Sequence, residues 1–352
     1  MERKTTDKKI FVGILGATGM VGQRFVQLLD SHPYFEIAFV GASERSVGKT
    51  YDEAAPWRLT GKCPPKVARL PVLPCEPSAL PANVSLVFSA LDSKVAKDIE
   101  SMFRESRFFV VSNASAWRMD PSTPLMIPEV NPEHLSLLGD TPNGGIITNP
   151  NCCAIPFSMA LAPLHKQWGV QAVCVATYQS VSGAGYPGES AWDMVGNVHP
   201  HAGNEEEKLA IEPCKILGTA TKPAQIDISA RCVRVPTADG HLLSLQVKLN
   251  NSPSIGEVKE CLQDWNGILP YQLPSSPRPL LELTTRRDRP SPRFDIMAGN
   301  GMAVTIGRLE RCSVMGVKFF ALSHNTIRGA AGAAIANAEL LVHKDFIHPK
   351  ST

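Results

Sequence analysis

The run Thr148-Asn149-Pro150-Asn151-Cys152-Cys153-Ala154 places a thiol where an apolar strand (145–148) gives way to an apolar helix (roughly 155–165). A thiol there meets the positive end of a helix dipole and free backbone N–H groups, which favour the thiolate. The same N–H groups could hold the oxyanion formed when that thiolate attacks a carbonyl. The plainer alternative is two small apolar residues in a core. Four further segments carry groups able to work with such a nucleophile. Gln179 ends a strand in Thr177-Tyr178-Gln179-Ser180, and Glu205-Glu206-Glu207-Lys208 opens a helical stretch. Arg234-Val235-Pro236-Thr237-Ala238-Asp239-Gly240-His241 bounds a turn, and Arg118 follows a strand in Ser115-Ala116-Trp117-Arg118-Met119. Taken singly, each has a structural alternative. The histidine is a turn residue beside Asp-Gly, the acids a solvated helix start, the arginines surface ion pairs. His199-Pro200-His201 has a metal-like spacing without an acidic or cysteine partner nearby, so no metal is expected.

These residues need two positioning frameworks. The apolar run 10–15 reads as a central parallel strand, feeding Gly16-Ala17-Thr18-Gly19-Met20-Val21-Gly22 and a helix to residue 29. Strand, glycine turn and helix form the setting in which a backbone approaches a pyrophosphate at a helix N-terminus. A second strand (36–41) leads to Ser43-Glu44-Arg45-Ser46-Val47-Gly48-Lys49. Two hydroxyls, Arg45 and Lys49 around one Glu44 suit the extra phosphate of NADP better than the bare ribose of NAD. Strands at 84–90 and 108–111 end in Ser89-Ala90-Leu91-Asp92 and Ser112-Asn113-Ala114-Ser115, where an open α/β sheet binds ligands. A Pro/Gly cluster at 141–145 precedes the strand leading to Cys152.

Beyond residue 170 the strands lengthen and alternate, at 171–180, 226–235 and 242–249. The segments 232–235 and 241–249, separated by a short polar Pro-Thr-Ala-Asp-Gly turn, suggest an antiparallel sheet. Strands at 302–308 and 314–323 close this sheet, and an Ala-rich helix (326–342) is expected to pack back on the first domain. The expected fold is therefore α/β: a Rossmann-type dinucleotide-binding domain (1–150, completed by 325–352) plus an α+β catalytic and dimerisation domain (151–324) with a mostly antiparallel sheet. A length of 352 residues suits two domains, and a net charge of +2 offers no case for nucleic acid or a membrane surface. Nine scattered cysteines do not form a disulfide framework, and the charged N-terminal residues 1–9 lack the apolar run of a signal peptide. A cytoplasmic protein with reduced thiols is expected.

From Gly13 to the C-terminal helix the chain resembles aspartate-β-semialdehyde dehydrogenases, particularly their fungal and archaeal branch. The resemblance rests on seven motifs in order: G-A-T-G-x-V-G, A-S-E-R-S-x-G-K, S-N-A-S-x-x-R-M, N-P-N-C, Q-x-x-S-G-A-G, E-E-E-K and R-V-P-x-x-D-G-H. It implies that Cys152 displaces phosphate from 4-phospho-L-aspartate to form a thioester, which NADPH reduces to the semialdehyde. His241 then serves as general acid/base and Gln179 orients the acyl group. Arg234 clamps the α-carboxylate, Glu205 takes the ammonium, and Arg118, Lys208 and the Asn151 amide hold the phosphate. NADP(H) contacts are implied at Gly16, Thr18, Gly19, Met20, Val21, Ser43, Arg45, Ser46, Ser89, Ala90, Ser182, Gly183 and Asn325. A homodimer or homotetramer is implied, with a small-molecule substrate and inorganic phosphate as its other partners. Alternatives are a related acyl reductase using N-acetylglutamyl phosphate or malonyl-CoA, and a silent nucleotide-binding sensor. Cys153 stands where the family usually has Ser, Thr or Ala. The loop 198–204 also departs from the family's hydrophobic-Pro-Tyr pattern.

Overall fold

A computed structural model describes residues 8–139 and 144–350. Residues 141–143 of the Pro/Gly cluster lie outside them. The first sheet contains β1 (Ile10–Leu15), β2 (Phe35–Ala42), β3 (Val72–Pro74), β4 (Val84–Ser89), β5 (Phe109–Ser112) and β6 (Gly145–Thr148). All its pairings are parallel, in the order β3-β2-β1-β4-β5-β6. The strands are apolar because both faces are covered. One face meets a core of Ile14, Phe25, Val40 and Phe88. The other meets Leu15, Phe39, Val87 and Phe103. Strand order reverses between β1 and β4, which opens a crevice at their carboxyl ends.

The second sheet contains β7 (Val170–Gln179), β8 (Asp227–Arg234), β9 (His241–Leu249), β10 (Leu281–Thr284), β11 (Val304–Cys312) and β12 (Gly316–Ser323). Its order is β10-β11-β12-β9-β7-β8, with three antiparallel and two parallel pairings. The sheet is mostly antiparallel, as expected, but β8 and β9 do not pair with each other. β7 lies between them and pairs in parallel with β8, bringing Gln179 level with Arg234. The physical reason is visible in the connecting turn. Its Thr237 and Ala238 carbonyls accept from Val181 and Ser182, so it folds over the end of β7 instead of closing on itself. The short β3 and β10, at the sheet margins, carry too few residues for a readable alternation.

Among the described residues six helices reach nine residues: α1 (Met20–Leu29), α2 (Ser93–Glu105), α3 (Ala154–Trp168), α4 (Glu205–Leu217), α5 (Ile255–Gln263) and α6 (Gly332–His343). α3 packs its Phe157, Leu161 and Leu164 into the second sheet's core. α4 supplies the crossover that parallel β7 and β8 require. No described helix is long and apolar enough to cross a membrane. The Ala-rich segment expected as one helix from 326 begins instead as a π turn, Ile327–Ala331, before α6. The Gly329 and Ala331 amides donate five residues back, to His324 and Thr326. Ala334, Ile335 and Leu341 of α6 then join Ile10 and Ile14 in the first sheet's core.

The π turn is anchored by a buried ion pair. Arg328, wholly inaccessible, donates to both Glu129 oxygens at 2.9 and 2.8 Å, and Ser276 Oγ donates to the same carboxylate at 2.6 Å. Burial pushes the Glu129 carboxyl up, but the guanidinium and its hydrogen bonds outweigh this and hold it below the ordinary value. Removing one partner of such a pair leaves a buried charge uncompensated. Arg328→Met is expected to cost about 3–5 kcal/mol in denaturant unfolding, and Glu129→Gln combined with it to recover part of that loss.

Candidate active site

Asn151 organises the entry to α3. Its Oδ1 accepts from the Cys153 amide at 2.8 Å and from the Ala154 amide at 3.4 Å, while its carbonyl accepts from Ile155. The first-turn N–H groups are therefore capped, which corrects the expectation that they stand free for an oxyanion. The Asn151 side-chain amide donates to Glu205 at 2.7 Å, and its backbone N–H donates to Glu212 at 2.7 Å. Cys152 is partly exposed and Cys153 fully buried. Their sulfurs and a ring nitrogen of His241 all lie within 4.8 Å of one another. Hydrogen bonding from the Cys153 thiol is the largest influence on Cys152; with the help of His241 it overcomes burial and brings the Cys152 thiol well below its ordinary pKa. Burial, together with the same bond, pushes the Cys153 thiol well up. The direction of these shifts favours Cys152 over Cys153 as the thiolate. This trio has ligand types a soft metal would accept. His199 Nδ1, by contrast, is bonded to the His201 carbonyl at 2.7 Å.

His241 is buried, and its Nδ1 accepts from the Ser180 amide at 3.1 Å. That bond places the proton of the neutral ring on Nε2, which has no hydrogen-bond partner and is left for the sulfur. On the adjacent strands, Arg234 Nη1 donates to Gln179 Oε1 at 3.1 Å and to the Ser180 carbonyl at 3.2 Å. The Arg234 backbone pairs in both directions with His199, so the unusual loop is joined to the strand that carries this guanidinium. Gly183 lies against both groups. A Cβ there would sit 2.9 Å from Arg234 Nη1 and 3.0 Å from His241 Nε2.

The third contributor is one face of α4. Lys208 Nζ meets Glu205 Oε1 at 2.8 Å. Burial pushes the Glu205 carboxyl up, but Lys208 and Asn151 hold it below the ordinary value. Of the three glutamates only Glu205 faces the site. Glu206 bonds Arg231 and the Cys232 amide, and Glu207 is exposed. One and two turns on stand two residues that motif reading missed. Glu212 pairs with Arg118 at 3.0 Å, and Lys215 donates to the carbonyls of Arg118, Asp120 and Thr123 at 2.7–2.8 Å. Positions 205, 208, 212 and 215 follow the three-and-four spacing of a single helix face, the signal that could have found them. A cavity of about 330 Å³ is lined by Arg118, Asn151, Cys152, Gly183, Glu205 and Lys208 together with Met20, Val21, Ser182 and Asn325. Gln179, Arg234 and His241 form a buried layer behind Gly183.

At the mouth of the cavity is the glycine turn. Gly16 has a positive φ of 73°, and a Cβ on it would meet the Ala90 carbonyl oxygen at 2.6 Å. Gly22 packs as closely on the turn, its Cβ position 2.3 Å from the Gly16 carbonyl oxygen. Gly19 begins α1 without a side-chain cap, so Met20 and Val21 offer first-turn N–H groups beside Thr18. This cradle fits a dinucleotide pyrophosphate. Exposed Ser43 and Arg45, with Ser46, stand apart on the loop after β2, where an adenosine ribose phosphate would reach them. Ser89 is fully buried at the end of β4, its hydroxyl unpartnered. Asn325 donates to Ser182 Oγ at 2.8 Å and accepts from the Gly240 amide at 2.8 Å, tying the two loops together.

Two outcomes are expected. Because the Cys152 pKa is lowered, its alkylation by iodoacetamide should fall far less between pH 8.5 and pH 6.5 than the roughly 50-fold drop of an ordinary thiol. A drop of ordinary size would refute the thiolate assignment. Gly183→Ala, which drives a methyl group into Arg234 and His241, should lower activity by about 100-fold or more with little change in thermal midpoint.

Residues 11–138 match the family model described as semialdehyde dehydrogenase, NAD binding domain, and residues 161–328 match its dimerisation domain. The chain is 43% identical to an aspartate-semialdehyde dehydrogenase of Archaeoglobus fulgidus, covering 96% of this chain and 99% of that one. It is 41% identical to the Cryptococcus neoformans enzyme, covering 96% and 98% respectively. Among solved structures, the Candida albicans aspartate semialdehyde dehydrogenase with NADP superposes with a TM-score of 0.88 at 37% identity, covering 97% of this chain and all of that chain. With both halves matched and relatives this similar along nearly its whole length, the chain belongs to the aspartate-semialdehyde dehydrogenase family.

Proposed function

We propose that this protein is an NADP-dependent, phosphorylating aspartate-semialdehyde dehydrogenase, converting 4-phospho-L-aspartate to L-aspartate 4-semialdehyde through a thioester on Cys152. The observation that carries this reading is the Cys152 thiol set between the His241 imidazole and a cavity lined by Arg118 and Lys208. Cys152 Sγ attacks the acyl carbon, the acyl–oxygen bond to phosphate breaks, and a thioester forms. Arg118 and Lys208 face the departing phosphate. The Asn151 side-chain amide, engaged with Glu205, would have to be shared with it. His241 keeps a proton on Nε2 beside the reacting atoms, and Gln179, held by Arg234, lies next to the acyl group. Arg234 has a buried Nε without a partner, which suits a substrate carboxylate. The Glu205 carboxylate suits a free ammonium, which an acetylated amine or a CoA thioester lacks. The glycine cradle, Arg45 and the loops at Ser89–Ala90, Ser182–Gly183 and Asn325 would hold NADPH, which supplies a hydride when bound. The NADP named with the Candida albicans structure supports this assignment.

The division into 1–150 with 325–352 and 151–324 is part of this reading, supported by the core that α6 shares with β1. So is self-association as a homodimer or homotetramer through the second sheet. Tyr178 opposite Leu242, Cys174 opposite Gln246 and Phe320 opposite Ser244 occupy one face of that sheet, and none of them is fully buried. A cytoplasmic location agrees with nine free cysteines.

The test is phosphate-dependent reduction of NADP+ by L-aspartate 4-semialdehyde. Cys152→Ala should lose at least about 10⁴-fold in rate, whereas Cys153→Ala should stay within about tenfold of wild type. Equal losses, or no wild-type activity, would sink the assignment. Arg45→Ala should raise the KM for NADP+ by about 10-fold or more and leave that for NAD+ unchanged. A wild-type preference for NAD+ would show that Glu44 dominates the loop.

A further inference from the structure

Arg118 is 7% exposed, and its contacts are unequal. Nη1 bonds Glu212 Oε1 at 3.0 Å, Nη2 bonds the Asn113 carbonyl at 2.6 Å, and Nε is buried with no partner. The guanidinium lines the cavity beside Cys152, so it offers an unmatched donor to an anion there. The Asn113 carbonyl and the Glu212 carboxylate aim it between them. Glu212 is 2% exposed; one of its oxygens holds Arg118 and the other accepts the Asn151 backbone N–H at 2.7 Å, next to the reactive thiol. The anion-binding group and the nucleophile's segment are thus tied to the same side chain. Lys215, one turn further along α4, directs its bonds to carbonyls 118, 120 and 123, so the turn carrying Arg118 is pinned to the same helix. Neither Glu212 nor Lys215 lines the cavity.

We propose that Glu212 is a positioning residue of the phosphate subsite, holding Arg118 at a set distance from Cys152 by bridging Arg118 and the Asn151 backbone. This rests on the phosphate-using reading above. A carboxylate presents one acceptor oxygen to each of the two donors. The amide of Gln presents one acceptor and one donor, so it must surrender one bond and repel that partner. The energetic cost of an unpaired buried guanidinium then falls on the subsite rather than on the chemistry of the thiol.

The test measures KM separately for phosphate and for L-aspartate 4-semialdehyde, with NADP+ saturating, in the full-length protein. Glu212→Gln should raise the KM for phosphate at least tenfold and leave that for the semialdehyde within threefold. Its rate of Cys152 alkylation should stay within threefold of wild type. In an Arg118→Ala background the same substitution should add nothing further to the KM for phosphate. If Glu212→Gln does not fold, Glu212→Asp carries the test: it keeps the charge, withdraws it by one methylene, and should show the same selective rise. A phosphate KM within twofold of wild type, or a parallel rise in both KM values, would show Glu212 to be merely structural and overturn the proposal. Wild-type NADP+ reduction that is independent of phosphate would instead overturn the functional reading on which it stands.

Discussion

Several charged side chains can be buried around one thiol only if each has a fixed partner, because an unpaired buried charge costs several kcal/mol. The face of α4 meets this constraint. Glu205 is matched to Lys208 and Asn151, Glu212 to Arg118 and Asn151, and Lys215 to three carbonyls. Asn151 is the common element. Through it, the helix that carries the charges is bonded to the residue that starts α3, so the charge pattern and the thiol cannot shift independently.

The same economy governs the opposite wall. The parallel pairing of β7 with β8 sets Gln179 beside Arg234, and the turn between β8 and β9 is folded over the end of β7. A hairpin would have put Arg234 and His241 on neighbouring strands and left Gln179 outside them. The observed topology instead inserts β7 between them. Ser180, at its end, accepts from Arg234 through its carbonyl and donates to His241 through its amide. One residue's backbone therefore aligns the Arg234 guanidinium and fixes the His241 tautomer.

Legibility in the sequence followed the range of the interactions. Continuous apolar runs such as 10–15 and alternating ones such as 242–249 report local burial, so their strands could be read directly. Cys152, Gln179, Arg118, Glu205 and Lys208 could be singled out because each lies in a short motif, and the structure brings them to one cavity or its backing layer. Glu212 escaped because its partners, Arg118 and Asn151, are 94 and 61 residues away. Glu129 and Arg328 escaped for the same reason at 199 residues. The Pro-Thr-Ala-Asp-Gly turn signals a change of direction without saying which strand it crosses, so the insertion of β7 between β8 and β9 could not be read from it. The capped amides at 153 and 154 could not be foreseen from helix position alone, since Asn151 folding back on them is a side-chain choice.

The C-terminal segment completes the argument about where the thiol sits. A Cβ on Gly329 would lie 2.9 Å from the Cys152 Cβ, so only glycine lets the π turn press on the nucleophile. The i to i−5 bonding of that turn widens the helix by one residue where it passes Cys152, a local cost commonly found at functional sites. The buried Glu129–Arg328 pair holds this turn from beneath, and Asn149 Nδ2 bonds the Ala330 carbonyl at 3.1 Å above it. α6 meanwhile belongs to the core of the first sheet, and α3 to that of the second. The thiol therefore stands at the contact between the two cores. Gly329 and Ala330 of the π turn line the same cavity as Met20 and Val21 of the glycine turn, so the turn that presses on Cys152 is itself part of the wall where the two cores meet.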